Sequence, residues 1–294
     1  MSERTVYDVA VIGCGPAGLS AAINVKVRNR TVVVLGTEVC SPPLNKAPRI
    51  ENYLGFPGVA GAELRDNFVE HTTSMGIEIK RDKVDAILPE DDGFMITTRE
   101  EVIRAQTVVM ATGIPYRPRL RGEAEFLGRG LSYCATCDGP LYRDKDIAII
   151  AHSTEAEVEA NYMAEICRQV FYLPLYDGMA NLEPEIKVIE GKPTRVIGDN
   201  TVTELHLGEE RLKVDGVFIV GAETPPESLF PGLKMDNNHI AVDRNMQTSI
   251  PGLYAGGDCT GPPYQVAKSV GEGQIAGLNA AKLVVAKRSK RKPK

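Results

Sequence analysis

Residues 6–12 (Val-Tyr-Asp-Val-Ala-Val-Ile) form a nearly unbroken apolar run, the pattern of a parallel strand covered on both faces. A glycine-rich turn interrupts it at Gly13–Gly18. Helical spacing follows from Gly18 to about Val27, then a second strand at Thr31–Leu35. Residues 41–62, rich in Pro, Gly and Asn, read as loop, with two prolines stiffening 41–45. An amphipathic helix is predicted over 63–75, and strands over 77–88, 93–98 and 102–104. Thr107–Gly113 is a further buried strand, ending in the small-residue turn Ala111-Thr112-Gly113, and Pro115 and Pro118 mark a hinge. Beyond it, a strand at 147–150, a helix at 154–168 and a strand at Val170–Leu175 repeat the order of the first β-α-β unit. Later strands fit 186–189, 194–198, 201–207 and 214–220. Ile250–Asp258 is a strand running into Gly256-Gly257-Asp258, and 265–285 is a helix dotted with small residues.

The turn Gly13-Cys14-Gly15-Pro16-Ala17-Gly18 has the Gly-x-Gly-x-x-Gly spacing, with a strand before it and a helix after it. Such glycines allow a tight turn and close approach of a pyrophosphate to the helix N-terminus. Glu38 follows 20 residues after Gly18, just beyond Gly36, where an acid meets a ribose hydroxyl. The expected class is therefore α/β with two Rossmann-like, doubly wound domains.

Composition narrows the setting. Of 294 residues, 43% are hydrophobic and 25% charged, as in a globular protein. No apolar run approaches the length of a membrane span, and Met1–Thr5 lacks the basic start and apolar core of a signal peptide, so a cytoplasmic protein is expected. The net charge is −5, yet residues 287–294 carry six positive charges, leaving −11 on the rest. That segment reads as a solvated tail or a handle for an acidic partner. An acidic body and a tail without aromatics argue against nucleic acid.

Six cysteines occur, and only Cys134 and Cys137 lie close in sequence. With four scattered cysteines and four histidines, no metal site is expected. A Cys-x-x-Cys pair can cycle between dithiol and disulfide, and a bound flavin can exchange two electrons with it.

Gly13–Gly18, Ile50-Glu51-Asn52, Ala111-Thr112-Gly113, Cys134-Ala135-Thr136-Cys137-Asp138 and Gly256-Gly257-Asp258 together resemble the low-molecular-weight thioredoxin reductase family over nearly the whole chain. The resemblance implies an FAD domain split into 1–116 and 246–294. Between them, 117–245 would form an inserted nicotinamide-type domain carrying the cysteine pair. It also implies a homodimer that reduces thioredoxin. Cys137 would face the flavin, Cys134 would exchange with the partner's disulfide, and Asp138 would handle the proton. For FAD, it implies Gly13, Gly15, Pro16, Ala17 and Gly18 at the pyrophosphate, Glu38 at the ribose and Val84 near the adenine. Gly36, Asn52, Ala111, Thr112 and Gly113 would lie along the cofactor, and Asn45, in a segment where the family has a glycine-rich turn, would approach the flavin. Gly257 and Asp258 would bind near the ribityl chain, with Gln265, Val266 and Ala267 lining the ring.

The inserted domain departs from the family. After the strand at 147–150 the chain reads Ala151-His152-Ser153-Thr154-Glu155-Ala156, without the leading glycines. Side chains at Ala151 and Ser153 would crowd a pyrophosphate, and Glu155 would repel it. After the next strand, Leu175-Tyr176-Asp177-Gly178-Met179 offers no Arg for a 2′-phosphate. The expectation is a reductase that draws electrons from reduced ferredoxin rather than NADPH. The alternatives are a dithiol oxidase using oxygen, or a reductase with a second flavin or another donor.

Overall fold

Strand β1 (Val6–Ile12), helix α1 (Pro16–Val27) and strand β2 (Val32–Leu35) form a parallel β-α-β unit, with Val9 opposite Val32 and Ile12 opposite Leu35. Val9, Val11, Val32 and Val34 face one core with Ala21, Val25 and Ala276. Ala10, Ile12, Val33 and Leu35 face the other with Ile87, Phe94 and Ile96. A strand with a core on each side favours apolar residues on both faces, which explains the run from Val9 to Ile12.

The computed structural model describes residues 6–36, 42–114, 120–133, 135–179, 181–221 and 225–291, and only the backbone of residues 42, 43, 136, 137, 155, 290 and 291. The chain divides into a first unit, Met1–Ile114 with Pro225–Lys294, and a second, Pro115–Thr224.

In the first unit, β2 leads to α2 (Pro42–Lys46), α3 (Gly61–Ser74), β3 (Glu78–Lys80), β4 (Val84–Glu90), β5 (Gly93–Thr98) and β6 (Val102–Met110). The strand order is β3-β2-β1-β6-β5-β4. The expected loop at 41–62 thus contains α2, whose prolines occupy its first turn, where the missing N–H costs nothing. The expected strand at 77–88 is two strands. Conversely, β6 is continuous where two strands were expected. Its first half alternates exposed and buried residues against β5, while its second half is buried on both faces beside β1.

The second unit holds α4 (Glu123–Phe126), β7 (Leu131–Ser132), α5 (Ala135–Asp138), β8 (Asp146–Ala151), α6 (Glu155–Ile166), β9 (Gln169–Pro174) and β10 (Lys187–Val188). It continues with β11 (Arg195–Gly198), β12 (Val202–Leu207), β13 (Glu210–Lys213) and β14 (Gly216–Val220). Five parallel strands run in the order β10-β9-β8-β14-β7, and β11-β12-β13 form an antiparallel meander.

The chain rejoins the first unit at Pro225, earlier than the expected 246. Here α7 (Pro226–Leu229), β15 (Met235–Asp236) and β16 (His239–Ile240) lead to β17 (Leu253–Ala255), which pairs with β6, and to α8 (Val266–Arg291). Leu229, Phe230, Leu233 and Ile240 are buried in the core that holds Ile87 and Phe94. Apolar packing, with little strand pattern, ties this segment to the first unit. Helix α8 lies close on α1: a side chain at Gly273 would come within 2.0 Å of the Ala17 carbonyl.

The basic segment 287–294 is not simply a solvated tail. Residues 287–291 continue α8. Arg288 Nη2 donates to Asp8 Oδ1 at 2.5 Å, and Lys287 Nζ donates to the Gln106 carbonyl at 3.1 Å. Asp8 is a β1 carboxylate only 2% exposed, which also accepts from Thr31 N at 3.0 Å and Gln106 Nε2 at 3.2 Å. A buried charge recruits a counter-charge even from the far end of the chain.

Candidate functional site

The first site is the turn between β1 and α1. Gly13 has φ +115°, and a Cβ there would lie 2.1 Å from the Ala111 carbonyl oxygen and 3.3 Å from Thr112 N. A Cβ at Gly18 would lie 1.9 Å from the Gly13 carbonyl. Packing therefore closes both positions to side chains. A Cβ at Gly15 would meet nothing within 4 Å. Gly15 caps α1, Pro16 occupies the first turn, and that turn carries no acidic residue. The open side of the turn is thus a helix N-terminus with free N–H groups and no competing carboxylate, a setting for a pyrophosphate.

Several expected partners gather around it. Gly36 packs on Cys14, whose Sγ lies 2.7 Å from where a Gly36 Cβ would sit. Burial pushes the Cys14 thiol up to about 12. Asn52 Nδ2 donates to Gln265 Oε1 at 2.6 Å, joining two residues 213 positions apart. Asn45 Oδ1 is buried with no hydrogen-bond partner among the described residues. Gly257 lies against Ala17, its would-be Cβ 2.7 Å from the Ala17 methyl. Val266 and Ala267 open α8. The open face over Gly15, the amide end of α1 and the orphaned Asn45 oxygen together fit a dinucleotide cofactor. Glu38 lies outside the described residues.

Asp258 is half-buried. Burial raises its carboxyl above the usual range, and the Ser269 hydroxyl, donating to Oδ1 at 3.0 Å, works against that rise. The turn is braced from α8. Lys268 Nζ donates to the Gly257 and Gly261 carbonyls, each at 2.6 Å. Glu272 Oε2 accepts from Gly257 N at 3.0 Å and Thr260 Oγ1 at 2.7 Å. Sequence reasoning missed both braces, although their i,i+4 spacing just past the glycine turn was a usable signal. Cys259 is buried there, its thiol pushed up to about 11 by burial.

Val84, expected near the adenine, turns its side chain into the core. Its side chain is 6% exposed and belongs to the core with Ile12 and Ile87, at an irregularity in the β4–β5 register.

The second site is the cysteine motif of the second unit. Cys134 lies outside the described residues, and Cys137 is described in its backbone alone, within α5. The chain on either side of position 134 is fixed by two buried carboxylates. The Tyr133 hydroxyl donates to Glu123, which also accepts from Leu120 N at 2.8 Å. Ala135 N donates to Glu159 Oε2 of α6 at 3.0 Å. Glu123 is 1% exposed and Glu159 8%. Asp138 is half-buried at the end of α5. Burial, and then the Asp138 charge, raise the nearby Tyr142 hydroxyl. Neither glutamate was identified from sequence, because only the fold brings α4 and α6 to the motif.

The turn between β8 and α6 carries Ala151 and Ser153 in place of the leading glycines. Ala151 is fully buried. The Ser153 hydroxyl lies 2.4 Å from where a Cβ on Gly221 would sit, in the crevice at the β8–β14 switch. Glu157, 4% exposed, accepts from the Tyr176 hydroxyl at 2.6 Å and from Asn181 N at 2.8 Å. Tyr176 also bonds the Tyr172 hydroxyl at 2.8 Å. A buried carboxylate and two tyrosines hold the segment where arginines would clasp a 2′-phosphate.

Residues 7–173 and 179–273 match the pyridine nucleotide-disulphide oxidoreductase family. A thioredoxin reductase from Aquifex aeolicus is 33% identical over 278 residues, covering 86% of this chain and 85% of its own. One from Ureaplasma parvum is 31% identical, covering 96% and 98%. The crystal structure of a ferredoxin-flavin thioredoxin reductase from Clostridium acetobutylicum matches with a TM-score of 0.89 and 45% identity, over 97% of this chain and 100% of that one.

Proposed function

The chain belongs to the pyridine nucleotide-disulphide oxidoreductase family, and from that premise we propose that it carries electrons from reduced ferredoxin, not NADPH, to a Cys134–Cys137 disulfide and on to thioredoxin. It is a flavin-dependent disulfide oxidoreductase of the thioredoxin reductase kind, with FAD as its cofactor. The observation that carries the choice of donor is the β8–α6 turn, which lacks the leading glycines. Ala151 and Ser153 stand there in place of the leading glycines, and the buried Glu157 carboxylate bonds Tyr176 and Asn181 in the segment where a 2′-phosphate would be clasped. The likeness to the ferredoxin-flavin enzyme supports the same reading.

Gly13–Gly18 and the N-terminus of α1 would hold the FAD pyrophosphate, with Asn45, Asn52 and Gln265 along the cofactor and the braced Gly257–Asp258 turn near its ribityl chain. When bound, FAD supplies the exchange between one-electron and two-electron chemistry. The protein's own steps are thiol–disulfide exchange. In this reading the Cys134 thiolate attacks a thioredoxin disulfide, forming a mixed disulfide and releasing one thioredoxin thiolate, which takes a proton. Cys137 then attacks Cys134 Sγ and releases the second thioredoxin thiol. Cys134 and Cys137 are left as a disulfide, two electrons poorer, and thioredoxin is a dithiol. Asp138 sits next to Cys137 and is the group that carries the proton. Glu123 holds the Tyr133 side chain and Glu159 the Ala135 main chain, on either side of position 134. A homodimer in a reducing cytoplasm suits this reading, because thiols persist there.

The test is anaerobic. Enzyme, thioredoxin and either reduced ferredoxin or NADPH are mixed, and thioredoxin thiols are counted. Thiols should accumulate with ferredoxin and not with NADPH. Rapid turnover with NADPH would overturn the choice of donor. Peroxide production from a dithiol in air, with no ferredoxin turnover, would mark an oxidase instead.

A further inference from the structure

Two turns would clasp the cofactor, one after β1 and one after β17, and a single helix spans both. Ala17 lies in the first turn of α1. A side chain at Gly273 of α8 would come within 2.0 Å of the Ala17 carbonyl oxygen, and one at Gly277 within 2.4 Å of the Ala21 carbonyl oxygen. The backbone of α8 is therefore seated on α1 beside the first glycine turn. The second turn touches the same residue, since a side chain at Gly257 would come within 2.7 Å of the Ala17 methyl.

From this seat, two side chains of α8 reach the second turn. Lys268 Nζ donates to the Gly257 and Gly261 carbonyls, each at 2.6 Å, and lies 3.0 Å from both Thr260 Oγ1 and Glu272 Oε2. Glu272 Oε2 accepts from Gly257 N at 3.0 Å and from Thr260 Oγ1 at 2.7 Å. Gly257 has φ +91° and Gly261 φ +114°. Glycine enters this region freely and leaves it as freely, so the turn is pliable at both ends. One ammonium holds both ends. The Lys268 and Glu272 side chains are only 15% and 21% exposed, and the cost of taking an ion pair out of water offsets much of its attraction. Stability alone does not account for such a pair. What it secures is one geometry of the turn.

We infer that Lys268 and Glu272 are positioning residues for FAD, which preset the Gly257–Gly261 turn against the start of α1 so that the two turns are spaced for the cofactor before it binds. Neither side chain has to touch FAD. Asp258, whose Oδ1 accepts from Ser269 of the same helix at 3.0 Å, is carried with the turn. A turn ordered in advance needs no further ordering when the ligand arrives, and the difference shows as affinity. This rests on FAD lying at these two turns, as proposed, and not on the choice of electron donor.

FAD is stripped from the full-length protein, and its rebinding is followed by the quenching of flavin fluorescence. Lys268→Met and Glu272→Met keep the length of the side chains and lose the bonds, and each should weaken FAD binding at least about tenfold. Glu272→Gln keeps an oxygen for Gly257 N and should retain most of the affinity. The double methionine variant should bind little worse than either single one, because both residues act through one turn. If a methionine variant does not refold without FAD, the release of FAD from its holoprotein on dilution is timed instead, and should be at least about tenfold faster than from Glu272→Gln. Asp258→Ala reports on where FAD lies. If it binds FAD as the wild type does, the turn is not part of the cofactor site, and the placement of FAD falls together with the inference. If Asp258→Ala binds weakly while both methionine variants match the wild type, the placement stands and the inference alone is overturned. Equal losses in Glu272→Met and Glu272→Gln would also overturn it, because the bonds to the turn would then not be what matters.

Discussion

Replacing Arg288 by alanine removes the only cation bonded to Asp8 among the described residues, a carboxylate 2% exposed in the central sheet. Truncating one partner of a fully buried ion pair costs about 3–5 kcal/mol. Arg288 is half-exposed, and Asp8 keeps its bonds from Thr31 N and Gln106. Water can take the vacated place, which reduces the cost to about 1–2 kcal/mol. For a unit of this size that lowers the melting temperature by about 3–6 °C. The assay is thermal unfolding of the FAD-saturated protein, so that cofactor linkage is constant. A double-mutant cycle with Asp8→Asn should show a coupling of about 1 kcal/mol. A loss under about 0.5 kcal/mol with no coupling would refute the anchoring of α8 to β1.

Gly15→Ala should fold normally, since its Cβ meets open space, yet bind FAD at least about tenfold more weakly; equal retention of FAD would remove the cofactor from this turn. Gly18→Ala should instead destabilise the apoprotein, because its Cβ would strike the Gly13 carbonyl. Unfolding by urea should become easier above pH 9. The Cys14 and Cys259 thiols, ordinarily at 9.0, sit at about 12 and about 11 when folded, so their stabilising contribution is complete below pH 9 and is lost as pH rises toward 12. Cys14→Ala with Cys259→Ala should flatten that slope, and an unchanged slope would assign it elsewhere. Glu159→Ala should slow thioredoxin reduction by about tenfold at unchanged FAD content, with Glu159→Gln recovering most of the rate; equal loss in both would show that the hydrogen bond to Ala135 is not what matters.

The central strands were legible because burial on both faces writes itself into most positions of β1 and β8 and all of β2. The glycine turn was legible for a similar reason, since Gly13 and Gly18 each answer one steric demand. Helix α2 has five residues, too few to show a period, and its prolines resemble those of a loop. Strands β7 and β13 are short, and β13 is largely exposed, so neither carries an apolar signature. The side chains that organise the sites were hidden for another reason. Glu123, Glu159 and Glu157 look like ordinary surface acids until α4 and α6 are placed. The Lys268–Glu272 brace and the Arg288–Asp8 pair join residues that only the finished fold brings together.

That pair has a consequence for how the protein is made. The second unit is one uninterrupted stretch of chain, whereas the first is built from both ends. On the ribosome, residues 115–224 emerge complete and can close while β17 and α8 are still to be synthesised. The β1–β6 platform must wait, its α1 face uncovered, until the last helix is released and Arg288 reaches Asp8. A stop codon between Thr224 and α8 therefore leaves a folded second unit attached to an apolar, aggregation-prone half-domain. Loss of a few C-terminal residues acts first on the strand that was translated earliest.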